Sequence, residues 1–161
     1  MKYFRLALSS ATALLVSVLA LSNANAKPDW LTDFKQAQDE ARTKKRLLLV
    51  DFTGSDWCGW CIKLEREVFS KPEFKEYASK NLVLMEVDFP RAKTQSPAEK
   101  KQNYELQERF GVQGFPTIVV LDSEGKKLAE LGYDAGLPDD AREMKATPEA
   151  FIATLEKLRK G

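Results

Sequence analysis

Apolar residues along this chain gather in three short runs, separated by longer stretches in which they recur every third or fourth position. Arg46-Leu47-Leu48-Leu49-Val50-Asp51-Phe52 reads as a buried strand, Asn81 to Asp88 as a second and Thr117 to Asp122 as a third. Helical spacing marks the stretch from Trp30 to Lys45, whose apolar face should lie on the sheet, and the stretch from Ile62 to Phe69. After a break at Ser70-Lys71-Pro72-Glu73, a short helix is predicted over Phe74 to Lys80. A charged helix follows over Ala98 to Phe110, carrying Tyr104, Leu106 and Phe110. The last helix takes Thr147 as N-cap and Pro148 as its first residue, with Phe151, Ile152, Leu155 and Leu158 on one face. Asp122-Ser123-Glu124-Gly125 is a turn into the alternating strand Lys126 to Gly132, and Phe89 to Pro97, Gly111 to Pro116 and Tyr133 to Thr147 read as connections. The order βαβ followed by αββα predicts an α/β fold with a mixed central β-sheet and helices on both faces.

Ahead of Lys27 the pattern changes. Lys2 and Arg5 precede an apolar stretch from Leu6 to Leu21, and Ala24-Asn25-Ala26 ends it. This is the layout of a secretory signal peptide over 1–26, cleaved after Ala26. The apolar run is shorter than the ~20 residues that span a bilayer, and no cysteine follows it to carry a lipid. Residues 27–161 are then expected to form one domain, periplasmic or secreted, with no stable membrane insertion after cleavage. The full chain has 25 basic and 24 acidic residues. Loss of residues 1–26 removes two basic ones and leaves a formal charge of −1, so bulk charge attracts neither nucleic acid nor an anionic membrane.

Chemistry concentrates at Trp57-Cys58-Gly59-Trp60-Cys61, which holds both cysteines of the chain. They sit one helical turn apart, between an apolar strand and a helix, where unpaired N–H groups and the helix dipole favour a thiolate at Cys58. Two such thiols can close on each other or attack a substrate disulfide in turn. The chain has no histidine. That excludes haem attachment, which needs His where Ile62 stands, and Cys–His nucleophilic catalysis. Two cysteines in one chain fall short of a structural zinc site, so neither metal nor other cofactor is expected.

Together with Val50-Asp51-Phe52, Gly114-Phe115-Pro116-Thr117 and the closing hairpin with Gly132, this motif resembles the thioredoxin-fold thiol-disulfide oxidoreductases, from about Ala37 to Leu158. Cys61 to Glu65 and Phe69 to Glu73 are most similar to the periplasmic C-terminal domain of the disulfide reductase DsbD and to small secreted relatives. The resemblance implies that Cys58 is an exposed nucleophile and Cys61 a buried resolving thiol, alternating between a dithiol and a redox-active disulfide. It makes Pro116 a cis-proline that turns the Phe115 backbone toward an extended substrate segment. Asp51 becomes the buried acid beneath the cysteines and proton acceptor for Cys61, and Trp57 the aromatic that shields them. Trp60, between the cysteines at a helix start, is read as exposed, either narrowing access or serving as a docking surface. The implied partners are protein thiol and disulfide substrates and an upstream membrane-bound or soluble electron donor.

Three features depart from the family pattern. Four residues, Thr53 to Asp56, separate Phe52 from Trp57, one more than in ordinary thioredoxins. Gly59-Trp60 fills the motif's interior, and Leu84 stands where thioredoxins carry a buried lysine. Plainer readings also stand: a structural disulfide, Trp57 as core, Pro116 as a trans turn residue and Asp51 as a satisfied structural carboxylate. The leading expectation is an exported protein-disulfide oxidoreductase, more reductase than oxidase because no histidine between the cysteines stabilises a thiolate. The alternatives are a non-catalytic binding or chaperone-like module of the same fold, and a redox donor dedicated to one partner.

Overall fold

The structure is a computed structural model that describes residues 30–138 and 145–160. The signal-peptide reading of 1–26 and part of the 133–147 connection lie outside those residues. Strands β1 (Leu47–Thr53), β2 (Leu82–Asp88), β3 (Thr117–Leu121) and β4 (Lys127–Leu131) form one sheet in the order β2-β1-β3-β4. β1 runs parallel to β2 and antiparallel to β3, and β3 is antiparallel to β4, so the sheet is mixed as expected. A central strand covered on both sides has no polar face, which is why β1 reads as an apolar run and is buried along its whole length.

Alternate residues of β1 feed two separate cores. Leu47 and Leu49 face a layer built from Leu64, Val68, Phe69, Phe74, Phe151 and Leu155, whereas Leu48, Val50 and Phe52 face Ala37, Ala41 and Leu106. The first layer is supplied by α2 (Gly59–Leu64), the π-helical turn Glu65–Phe69, α3 (Pro72–Asn81) and α5 (Pro148–Lys160). The second is supplied by α1 (Phe34–Lys44) and α4 (Pro97–Phe110). Phe69, Phe74 and Phe151 meet ring to ring in the first layer, and burial of each stabilises the fold by roughly 1.5–3 kcal/mol. Asp51 follows Leu49 on that same face. The one carboxylate of the central strand therefore lies under the helix that bears the cysteines.

Three expectations are corrected. Trp30 to Asp33 is not helical: Leu31 forms a parallel bridge with Met85, its N–H donating to the Leu84 carbonyl at 2.9 Å, and the helix starts only where the Asp33 carboxylate caps Gln36 N–H. Trp30 packs on Phe69 instead. The helix read from Ile62 begins at Gly59 and widens into a π turn at Glu65, a feature that apolar spacing does not report. The connection after β4 opens with a 3₁₀ turn, Tyr133–Gly136, that buries Tyr133. The turn before β4 is as read: Gly125 takes φ +88° and its N–H donates to the Asp122 carbonyl.

Candidate functional site

The C-terminal ends of β1 and β2, the N-terminus of α2 and the loop before β3 converge on one edge of the sheet. Cys58 is the N-cap of α2, and its sulfur accepts from the N–H of Cys61 at 3.3 Å. Cys58 and Cys61 are joined as a disulfide, with Cα atoms 5.3 Å apart. The helical run above Cys58 is continuous from Gly59 to Phe69, since Leu64 and Glu65 both keep right-handed helical angles. The expected contrast in exposure is absent: Cys58 is 7% exposed and Cys61 5%. The reason is geometric, because a disulfide across one turn holds the two sulfurs against each other at one depth.

The extra residue before Trp57 is absorbed in a tight loop. Gly54 accepts from the N–H of both Trp57 and Cys58, and a Cβ at Gly54 would lie 2.6 Å from the Trp57 ring. Only glycine allows that approach. Ser55 donates through its N–H and hydroxyl to the Asp88 carboxylate, and Asp56 accepts from the N–H of Arg91 and of Ala92. These bonds hold the Asp56 carboxyl below its ordinary range. Nothing in the spacing of the motif announces the roles of Ser55 and Asp56, because their partners lie more than thirty residues away.

Asp51 is 8% exposed, and among the described residues its Oδ1 is buried with no hydrogen-bond partner. Its Cα neighbours across the sheet are Glu86 and Ile118. Burial pushes its carboxyl well above the usual range, and the charges of Glu86, Glu65 and Asp88 push it further. Leu84, two residues before Glu86 on the same strand face, belongs to the apolar layer, so that position supplies no cation. The reading of Asp51 as a satisfied structural carboxylate does not fit an unpartnered oxygen.

Trp57 is 37% exposed, hence not core, and its Nε1 donates to the Phe89 carbonyl at 2.7 Å. The Arg91 guanidinium stacks over its ring at 3.9 Å. Trp60 is 49% exposed, packs against Tyr133 at 5.0 Å and shares the Lys63 ammonium with it. Phe115 is half-buried, edge-on to Trp57 and stacked on Phe89 at 5.1 Å. The Phe115–Pro116 bond is cis. Trp57, next to Cys58, and Phe115, next to Pro116, meet ring to ring and so share one edge, Asp51 lies on the face of β1 that the α2 layer covers, and Trp60 packs on Tyr133. Sequence reading missed Gly54, Asp56, Phe89, Glu65 and Glu86. Phe89 carried a signal, an aromatic residue heading an otherwise polar loop. Among the described residues no cluster of acid, cysteine or histidine side chains suits a metal ion, and no helix is long and apolar enough to cross a membrane.

Comparison with known proteins agrees with this geometry. The sequence profile described as a thioredoxin-like domain matches residues 34–138. Disulfide bond reductase DsbH of Chlamydia pneumoniae is 38% identical over 103 residues, which make up 64% of this chain and 62% of that protein, so the match spans less than two thirds of that relative. A solved DsbH oxidoreductase superposes with a TM-score of 0.73 at 30% identity, covering 94% of this chain and 95% of the other. The oxidised C-terminal domain of Neisseria meningitidis DsbD shares the fold, with a TM-score of 0.55 at 20% identity over 81% of this chain and all of that one. With a family match across most of its length, and a cysteine pair at the head of a helix on a mixed sheet, the chain belongs to the thioredoxin-like family of thiol-disulfide oxidoreductases.

Proposed function

We propose that this protein is an exported protein-disulfide oxidoreductase that works chiefly as a reductase. The observation that carries the reading is the Cys58–Cys61 disulfide at the head of a helical run, above a buried carboxylate with an unpartnered oxygen. In the dithiol form, the Cys58 thiolate attacks one sulfur of a substrate disulfide. That S–S bond breaks, and the released substrate thiolate takes a proton from water. Cys61 then loses its proton to the Asp51 carboxylate and attacks the Cys58 sulfur. The mixed disulfide breaks, the second substrate thiolate leaves and takes a proton, and two electrons have passed to the substrate as Cys58–Cys61 closes. A carboxyl with a raised pKa suits this task, since it is a stronger base than an ordinary aspartate and lies nearer to a thiol. An external dithiol must return the pair to its reduced form, and the upstream electron donor would supply it.

Trp57, Phe115, Pro116 and Trp60 would flank the bound substrate segment, with the Phe115 backbone open to an extended chain. Export rests on the signal peptide read over 1–26, and a domain over 27–161 would then act in the periplasm or outside the cell. The test is dithiothreitol-driven reduction of insulin, with Cys58→Ser as control. Turnover by the native protein and none by the variant is expected. Equal, background-level rates for both would favour the second reading, a binding module that uses the exposed Trp57 and Trp60.

A further inference from the structure

Beside the cysteine pair lies a cavity of about 350 Å³. Trp57, Phe115, Phe89 and Tyr104 line it, and their rings form one chain: Trp57 edge-on to Phe115 at 6.1 Å, Phe115 stacked on Phe89 at 5.1 Å, Phe89 edge-on to Tyr104 at 5.4 Å. Arg91 and Lys100 line it as well. The wall is set before any ligand arrives, because Trp57 Nε1 is bonded to the Phe89 carbonyl and Asp56 ties down the backbone at Arg91 and Ala92. Tyr104 leaves 54% of its surface exposed on an otherwise charged helix.

The lining itself carries two cations, Arg91 and Lys100, and no carboxylate. The bordering carboxylates are already occupied: Asp56 by backbone N–H groups, Asp88 by Ser55 and Glu99 by Gln95. Arg91 lies over the Trp57 ring, and no ion pair among the described residues engages Arg91 or Lys100. The groove is continuous with the redox edge, since Trp57 directly precedes Cys58 and Phe115 directly precedes Pro116.

We propose that this groove is a substrate subsite that selects polypeptides carrying an aromatic side chain and a carboxylate close to the target cysteine. The aromatic ring enters between Trp57, Phe89 and Tyr104, where edge-to-face contacts are open to it, and the carboxylate meets Arg91 and Lys100. The ring-to-ring steps leading away from Trp57 are 6.1, 5.1 and 5.4 Å, so at ~3.3 Å per extended residue the groove is reached about two to four residues from the cysteine. The inference deepens the oxidoreductase reading and rests on it.

The test uses two peptides, each joined through its single cysteine to glutathione. One carries Phe and Glu within four residues of the cysteine, and the other carries Ser and Lys at those positions. The reduced native protein should cleave the first with a kcat/KM about tenfold higher, the combined effect of one aromatic contact and an exposed charge pair. The difference should lie in KM and shrink as salt is raised. Lys100→Glu with Arg91→Glu should reverse the charge preference, and Tyr104→Ala should lower the aromatic part. Equal cleavage of both peptides by the native protein, or a preference that survives all three substitutions, overturns the subsite and leaves the oxidoreductase reading intact. Cleavage of neither peptide overturns both.

Discussion

Asp51 and Glu67 are both hidden carboxylates, each 8% exposed, and the fold treats their charges in opposite ways. Glu67 sits in the π turn at the edge of the helical layer, where it accepts from the Tyr133 hydroxyl and from the Ala146 N–H at 3.3 Å. Burial works against its charge, yet Tyr133, Lys63, Arg66 and Ala146 together hold its carboxyl below the ordinary range. Asp51 sits in the central strand with an unpartnered oxygen, and its neighbouring charges are acidic, so its carboxyl is pushed up. The first arrangement is what a structural acid looks like: the charge is satisfied and fastens Tyr133 and the segment at Ala146 to the helix. The second costs stability and leaves a carboxyl with a raised pKa on the face of β1 that the redox helix covers, where the proposed function needs a base. A buried carboxylate alone says little; its partners separate architecture from chemistry.

The largest break in this comparison should come from Asp51→Asn. The variant keeps the shape and loses the base, so insulin reduction should fall by about 10²-fold if Asp51 accepts the Cys61 proton in the slow step. The same change should raise the unfolding free energy near neutral pH, on the order of 1–3 kcal/mol, because an unpaired buried charge is gone. Urea unfolding alongside turnover checks both, and a variant that is slower and less stable would contradict the assignment. Glu67→Ala should act the other way. It removes the carboxylate that accepts from the Tyr133 hydroxyl, at about 1–3 kcal/mol for a buried donor, while the Ala146 N–H keeps the Tyr133 oxygen at 2.9 Å and the folded fraction still reduces insulin.

The pH dependence of stability should separate the two acids by sign. The folded pKa of Asp51 lies above its ordinary 3.8, so the folded chain binds the extra proton and stability from this group falls as pH rises through that window. The folded pKa of Glu67 lies below its ordinary 4.5, so its stabilisation is complete above that value and is lost as pH falls through the lowered one. Urea titrations of Asp51→Asn and Glu67→Ala against the native protein should each flatten one of these slopes and leave the other. Glu86→Gln should have the smallest effect. It removes one of the charges that raise Asp51, so the Asp51 titration seen by carboxyl NMR should move down part of the way, whereas that of Glu67 should stay.

Much of this organisation is legible in the chain itself, for reasons that are local. β1 and β2 announce themselves because strands covered on both sides must be apolar throughout, and the cysteine pair stands out because the chain has no others. Ser96 and Asp33 cap their helices through the residue three places on, a contact within one turn. What the pattern hides is made at long range. Trp57 meets Phe89, Asp56 meets Arg91 and Glu67 meets Tyr133 across 32, 35 and 66 positions respectively, and no periodicity encodes such distances. The acidity around Asp51 was equally hidden, since Glu86 joins it only through the parallel register of β1 and β2. The π turn at Glu65 kept its apolar spacing and so looked like plain helix.

The central claim is that Asp51 is the base that lets Cys61 close the disulfide. Single-turnover reduction of a substrate disulfide by the reduced protein, followed across pH, tests it most directly when native protein and Asp51→Asn are run side by side. The account predicts that the native rate of the resolving step rises with pH as the raised Asp51 carboxyl loses its proton, and that the variant lacks this rise and follows only the thiol. Superimposable profiles for the two proteins would contradict it.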